Sequence, residues 1–142
     1  MSISRTVPHL TSAAALKAVQ AALVAAAARG VSVVVAAVDA GGHLLATVRA
    51  DGAFASSVSI AQDKAYTAAI FGVSTDQLKA GLQHSQVLLD GIAARDHIVL
   101  FGGGIPVIEN GVVIGGLGVS GGSEDDDRAA AAAGLAAIGQ TI

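Results

Sequence analysis

FGGGIPVIENGVVIGGLGVSGGSEDDD, residues 101–127, carries the signals that decide the fold. Ile105 to Ile108 reads as a short strand, Asn110-Gly111 is a strong two-residue hairpin turn, and VVIGGLGVS is the returning strand. Ser123 then caps a helix whose first turn holds Glu124 to Asp127, where free N–H groups and the positive end of the helix dipole favour acids. That helix runs through the alanines to about Gly139. On the other side of Gly102-Gly103-Gly104, Ile98 to Phe101 reads as a further short strand.

A second stretch, VVVAAVDAGGHLLATVRADGA (Val33 to Ala53), has the same design: a β-branched run, a turn at Ala40-Gly41-Gly42-His43, and LLATVR returning. Asp51-Gly52 breaks it. Between the hairpins, SSVSIAQDKAYTAAIFG predicts a helix over about 56–71, with Ala61, Ala65, Ala68 and Ala69 on one face so that a backbone can approach closely. Ser74-Thr75-Asp76 opens a short helix to about Gly81, and 82–97 is ambiguous, with a turn of helix near Val87 to Ala93. Toward the amino terminus, Thr11 or Ser12 caps a helix over 11–29, with Leu16, Val19, Leu23 and Val24 on one face and Gly30 as its stop. Because hairpins rather than crossover helices join the strands, the sheet is expected to be mainly antiparallel, in an α+β arrangement.

The 142 residues fit a single domain, 1–142, large enough to bury a core without disulfides. With three Phe, one Tyr and no Trp, that core must be built from small and β-branched side chains at close backbone spacing. Eight basic residues against 11 acidic leave a net charge of −3 and no basic stripe, so nucleic acid is not an expected partner. The absence of cysteine removes disulfides, iron–sulfur clusters, thiolate zinc sites and thiol catalysis together. No apolar run approaches the ~20 residues of a membrane span. MSISRTVPHL lacks the apolar stretch of a signal peptide, and the alanine-rich 13–28 is interrupted by Lys17 and Gln20, so the expectation is a cytoplasmic protein without membrane association.

VDAGGHLLATVRADGA, AQDKAYTAAIFG, FGGGIPVIENGVVIGGLGVSGGSEDDD and the trailing alanine helix resemble the haem-degrading GlcG/HbpS family, and also the C-terminal domain of PduO-type proteins. The resemblance runs from about Thr11 to Ile138. It implies an antiparallel sheet of about five strands flanked by helices. It also implies assembly into homo-oligomers, from dimers up to octamers, and a small-molecule ligand, with haem as a cofactor. In haem-binding relatives a ligand lies just ahead of the first helix, where this chain has His9.

Several constellations are candidates for chemistry. Gly116-Leu-Gly118-Val-Ser-Gly121 satisfies the dinucleotide pattern G-x-G-x-x-G, but the acids at 124–127 would repel a pyrophosphate, so it reads as close packing plus a helix cap. Gly102 to Gly104 either present successive N–H groups to a carboxylate or other oxyanion, or form a bulged strand packed closely. Lys64, with Ile60 and Thr67 at one-turn spacings, is expected to lay its stem on apolar surface and bring its amine to an edge, with Asp39, Arg49, Asp51 or Asp63 as partner. Such an amine orients an anion, acts as a base or Schiff-base nucleophile, or is a plain structural ion pair. Arg49 and Asp51 read as an anion clamp, a subunit contact or a salt bridge fixing the turn, and Asp39 as an acceptor for turn N–H groups.

The four histidines, His9, His43, His84 and His97, show no helical zinc spacing, so no metal site is expected. His84 is a candidate ligand or acid–base group in the ambiguous stretch, which also holds His97, and His43 is expected on an exposed turn. Haem needs an apolar slot and partners for its propionates, and few aromatics are available to form one. Two functional readings follow. In the first, the protein binds, and in one form degrades, haem or a related tetrapyrrole in a pocket near a subunit interface, lined by the glycine tracts (Phe101, Gly102 to Gly104, Gly121), Lys64, Arg49 with Asp51, and a histidine such as His9. In the second it is a catabolic lyase, isomerase or hydrolase acting on a small organic acid or aromatic, with Lys64 or His84 moving protons and the glycine amides holding an oxyanion.

Overall fold

A computed structural model describes residues 1–140. The elements follow in the order α1 (Ser12–Ala28), β1 (Val34–Asp39), β2 (Leu44–Arg49), α2 (Ser57–Phe71), α3 (Thr75–Leu82), α4 (Gln86–Ala93), β3 (Gly104–Glu109), β4 (Val112–Ser120) and α5 (Glu124–Ala137). Both expected hairpins form, and β1 pairs antiparallel with β4 from Val34↔Ser120 to Asp39↔Gly115, which joins them into one sheet of order β2-β1-β4-β3. Asn110 and Gly111 have φ of 53° and 77°, the pair of positive values that a tight primed hairpin turn requires. In the other hairpin the Asp39 carboxylate accepts the N–H groups of Gly41 (2.9 Å) and His43 (3.1 Å), as expected.

The sheet has four strands among the described residues rather than about five. Ile98 to Phe101 is not a strand. Its Val99 N–H donates to the Thr67 hydroxyl on α2 at 3.1 Å, so a helix side chain takes the place of a sheet neighbour.

Helices cover both faces, and strand alternation sorts the core between them. Val33, Val35 and Ala37 join α1 and α5, whereas Val34 and Ala36 pack with Ala61, and Val38 with Ala65 and Ala69, on α2. Against α2 the sheet presents glycines: a methyl group on Gly118 would run into the Ala61 carbonyl and lie 2.6 Å from the Ala65 nitrogen. Gly116 and Gly118 of the G-x-G-x-x-G pattern and the alanine face of α2 are therefore two halves of one close contact.

α1 departs from its expected face. Thr11 caps it, accepting the Ala14 N–H at 3.2 Å, but the buried side is Ala15, Ala18, Val19, Ala22 and Ala26, while Leu16 and Val24 are exposed. The reason is the close crossing with α5, where a methyl group on Gly134 would sit 2.7 Å from the Ala18 carbonyl, leaving room only for small side chains. α3 begins with a Ser74–Gln77 capping box. α4 is capped by Ser85 yet buries none of its residues. α5 starts at the expected Ser123 cap with four acids in its first turn. Among the described residues no helix is long and apolar enough to cross a membrane.

Candidate functional site

The alanine face that brings α2 onto β4 also drives Lys64 inward. Its side chain is 1% exposed, and the amine donates to the Val119 carbonyl (2.8 Å) and the Asp127 carboxylate (3.1 Å), with the Phe101 ring centroid 5.0 Å away. The second Asp127 oxygen accepts the Gly122 N–H at 3.0 Å. The expectation of a half-exposed amine at an edge is thus corrected. The partner is none of Asp39, Arg49, Asp51 or Asp63 but Asp127, the acid of the α5 first turn that points into the protein. Burial disfavours both charges, lowering the Lys64 pKa and raising that of Asp127, while their mutual attraction works against each shift.

The triple-glycine loop lies against this pair. Gly102 N–H donates to the Glu124 carboxylate (2.8 Å) and Gly104 N–H to the Thr75 hydroxyl (3.1 Å), while the Gly103 carbonyl accepts from Val119 (2.9 Å). Gly103 has φ of 122°, open to glycine alone at low cost. Two of the loop's amides are therefore already engaged, one of them by a carboxylate of the chain itself. Arg128 closes the surface above, gripping Asp76 with two bonds (2.9 and 2.8 Å) and Asp125 with a third (2.9 Å). The Arg128 hydrogen bonds hold the Asp76 pKa below its ordinary value, and Asp76 in turn raises that of Arg128. Arg29 does for Asp126 what Arg128 does for Asp76, through a 2.9 Å bond.

The other predicted site residues are dispersed. Arg49 spans the turn after β2 to the Ala53 carbonyl (3.1 Å), and Asp51 is exposed in that turn. Gly121, with φ of 137°, faces the Ser32 carbonyl. His9 accepts the Ala40 N–H through Nδ1 (3.2 Å) and lines a small pocket of about 130 Å³ with Leu10 and Ile114. His84 is exposed, its Nδ1 3.0 Å from the carbonyl of Gly81 on the preceding helix. Among the described residues no three His, Asp or Glu side chains are placed to hold a metal ion.

The opposite side of α2 brings together groups that the sequence reading did not connect. Asp63 accepts a 3.0 Å hydrogen bond from His97 Nδ1, and the Tyr66 ring meets the imidazole edge-on with centroids 5.7 Å apart. A carboxylate oxygen only accepts, so a proton is on Nδ1, and in the neutral imidazole Nε2 keeps its lone pair. Here an open cavity of about 650 Å³ is walled by Tyr66, Ile70, Phe71 and Ile98, with Arg95 and His97 among its lining residues. The size is that of a small-molecule or cofactor site. Such a group can hold a flat apolar ligand, offer a cation to an acidic substituent and present one imidazole nitrogen.

The fold and this site together define a small sheet-and-helix protein with a ligand-sized cavity beside α2 and α4. The chain belongs to the HbpS-like family of haem degrading proteins, whose family model matches residues 10–136. It is 41% identical over 124 residues to an uncharacterized 15.0 kDa protein from the dhaT-dhaS intergenic region of Citrobacter freundii, covering 87% of each chain. The crystal structure of Klebsiella pneumoniae ORFY superposes with a TM-score of 0.91 at 36% identity, over 98% of this chain and 97% of that one. A PduOC–haem complex superposes with a TM-score of 0.83 at 34% identity, over 91% of this chain and 94% of the other. The resemblance to PduO-type domains is therefore borne out.

Proposed function

We propose that this protein binds haem or a closely related tetrapyrrole in the cavity walled by Tyr66, Ile70, Phe71 and Ile98. The observation that carries the reading is the make-up of that cavity: an apolar side of Ile70, Phe71 and Ile98, a polar side where Arg95 offers a cation to a propionate next to the Asp96 carboxylate, and a histidine whose Nε2 makes no hydrogen bond among the described residues. The haem complex of a relative with the same fold supports it. Two of the chain's few aromatic side chains, Tyr66 and Phe71, meet here, which answers the scarcity noted in the sequence. Bound haem supplies an iron centre; the chain's own residues supply the slot, the counter-charge and exclusion of water from one face of the ring.

The test is a titration of purified protein with hemin, followed at the Soret band. Saturable binding that Phe71→Asp weakens at least about tenfold is the expected result, since a buried charge would face the ring. A flat titration overturns the reading. We place the protein in the cytoplasm as a homo-oligomer between dimer and octamer. Large exposed apolar side chains such as Val24 (70%) and Phe54 (68%) support association between copies, which light scattering on the eluted protein measures.

A second reading is favoured by one contact, the Glu124 carboxylate on the Gly102 amide. A small organic acid that displaced Glu124 would meet the same N–H, with Lys64 beneath. This is the catabolic-enzyme alternative, and it requires turnover that disappears in the doubly substituted Lys64→Met, Asp127→Leu protein while the fold persists. His84 serves as proton carrier only if His84→Ala also lowers that turnover.

A further inference from the structure

His97 is held with unusual care for an exposed loop residue. Its φ is 69°, a left-handed conformation uncommon outside glycine, although histidine is among the residues enriched there. One fully buried hydroxyl secures it on both sides: Thr67 donates to the His97 carbonyl (2.9 Å) and accepts the Val99 N–H (3.1 Å). Asp63 fixes the ring at Nδ1 and Tyr66 fixes its edge. The imidazole is nevertheless 65% exposed, and it lines both the 650 Å³ cavity and a neighbouring one of about 490 Å³ that includes His43 and Leu44. A strained backbone maintained by surrounding contacts, with its side chain aimed outward, is the mark of a positioned functional group.

We infer that His97 is the axial ligand of the bound iron, through Nε2, and that Asp63 is its positioning residue. The inference rests on the haem reading above. A ligating imidazole ordinarily donates its other N–H to a carboxylate or carbonyl, which sets the tautomer, orients the ring and raises the basicity of the ligating nitrogen. The Asp63–His97 contact has that form already. His9 lacks it, because its Nδ1 accepts a backbone N–H. His84 has a carbonyl partner at Nδ1 but lies in an exposed turn and is not among the residues that line the cavity.

The test uses the full-length chain and hemin, comparing wild type with His97→Gly, Asp63→Asn, His9→Ala and His84→Ala. Glycine is chosen at 97 because it accepts a φ of 69° without strain, so the loop is retained; circular dichroism confirms the fold of each variant. The expected result is a saturable Soret band in wild type that is lost or weakened at least about tenfold in His97→Gly, restored by free imidazole entering the vacated space, and unaffected in the other two histidine variants. Asp63→Asn should keep the histidine-ligated spectrum, lower the iron–imidazole stretching frequency in resonance Raman, and weaken binding by about 10–100-fold. A merely structural histidine would give neither imidazole rescue nor a shifted iron–nitrogen mode. Binding in wild type that His97→Gly leaves unchanged, or that only His9→Ala or His84→Ala removes, overturns the assignment but leaves the haem reading standing. No saturable binding in wild type overturns both.

Discussion

Asp63 and Lys64 are neighbours in sequence, yet the helical rotation between them sends one to each side of α2. Lys64 enters a sealed space and finds every partner it needs: a carboxylate, a backbone carbonyl and an aromatic face. Asp63 meets a histidine that is 65% exposed, in a pair that water screens. The sealed pair is costly to disturb and is closed to a ligand while Glu124 holds the Gly102 amide. The open pair contributes little to stability and leaves one nitrogen unused. The same helix thus separates the charge that secures the fold from the charge available to a ligand.

The contrast is broken most strongly by Asp127→Ala, which leaves the buried Lys64 ammonium without its counter-charge. We expect a loss of about 3–5 kcal/mol in urea unfolding, most of it recovered when Lys64→Met and Asp127→Leu are combined. Gly118→Ala should cost about 1–3 kcal/mol, because the added methyl group meets the α2 backbone rather than a side chain that can move aside. A smaller effect lies in acid. Asp76 and Asp126 titrate below the ordinary carboxylate value of 3.8 in the folded chain, so their stabilisation is complete above that pH and is lost as pH falls through the depressed folded values. Asp76→Asn should therefore flatten the fall of Tm below about pH 4. Smallest is Asp63→Asn, which should shift stability by no more than about 0.5 kcal/mol, the size of an ordinary surface change. A loss of several kcal/mol there would show that the open pair also supports the fold.

What the sequence made legible is whatever depends on neighbours along the chain. Asn110-Gly111, the Thr11 and Ser123 caps and the alanines of α2 each carry a local physical reason, and each appears where that reason places it. Ile98 to Phe101 misled because an apolar run has the same composition whether it pairs with a strand or leans on a helix. Leu16 and Val24 misled because, in a helix made mostly of alanine, the close crossing at Gly134 and not side-chain size selects the buried face. Asp127 stayed hidden inside an acidic run that helix capping already explained, 63 positions from its partner. Of the residues singled out for a site, Lys64, Phe101 and the triple glycine do converge, while His9, Arg49 with Asp51, and His84 lie apart. The Asp63–His97 pair had no signature at all, since a left-handed φ at a histidine is set by tertiary contacts.

α4 buries none of its eight residues, yet Gly91 in its last turn and its C-cap Ala94 belong to the wall of the 650 Å³ cavity. Amide exchange reads this directly: protons in α4 should leave through local opening at low free energy, while those of β1 and β4 wait for global unfolding. The cavity accordingly has one wall of core stability and one of marginal stability. A bulky guest can therefore press back the α4 side of the cavity at no expense to the sheet that anchors everything else.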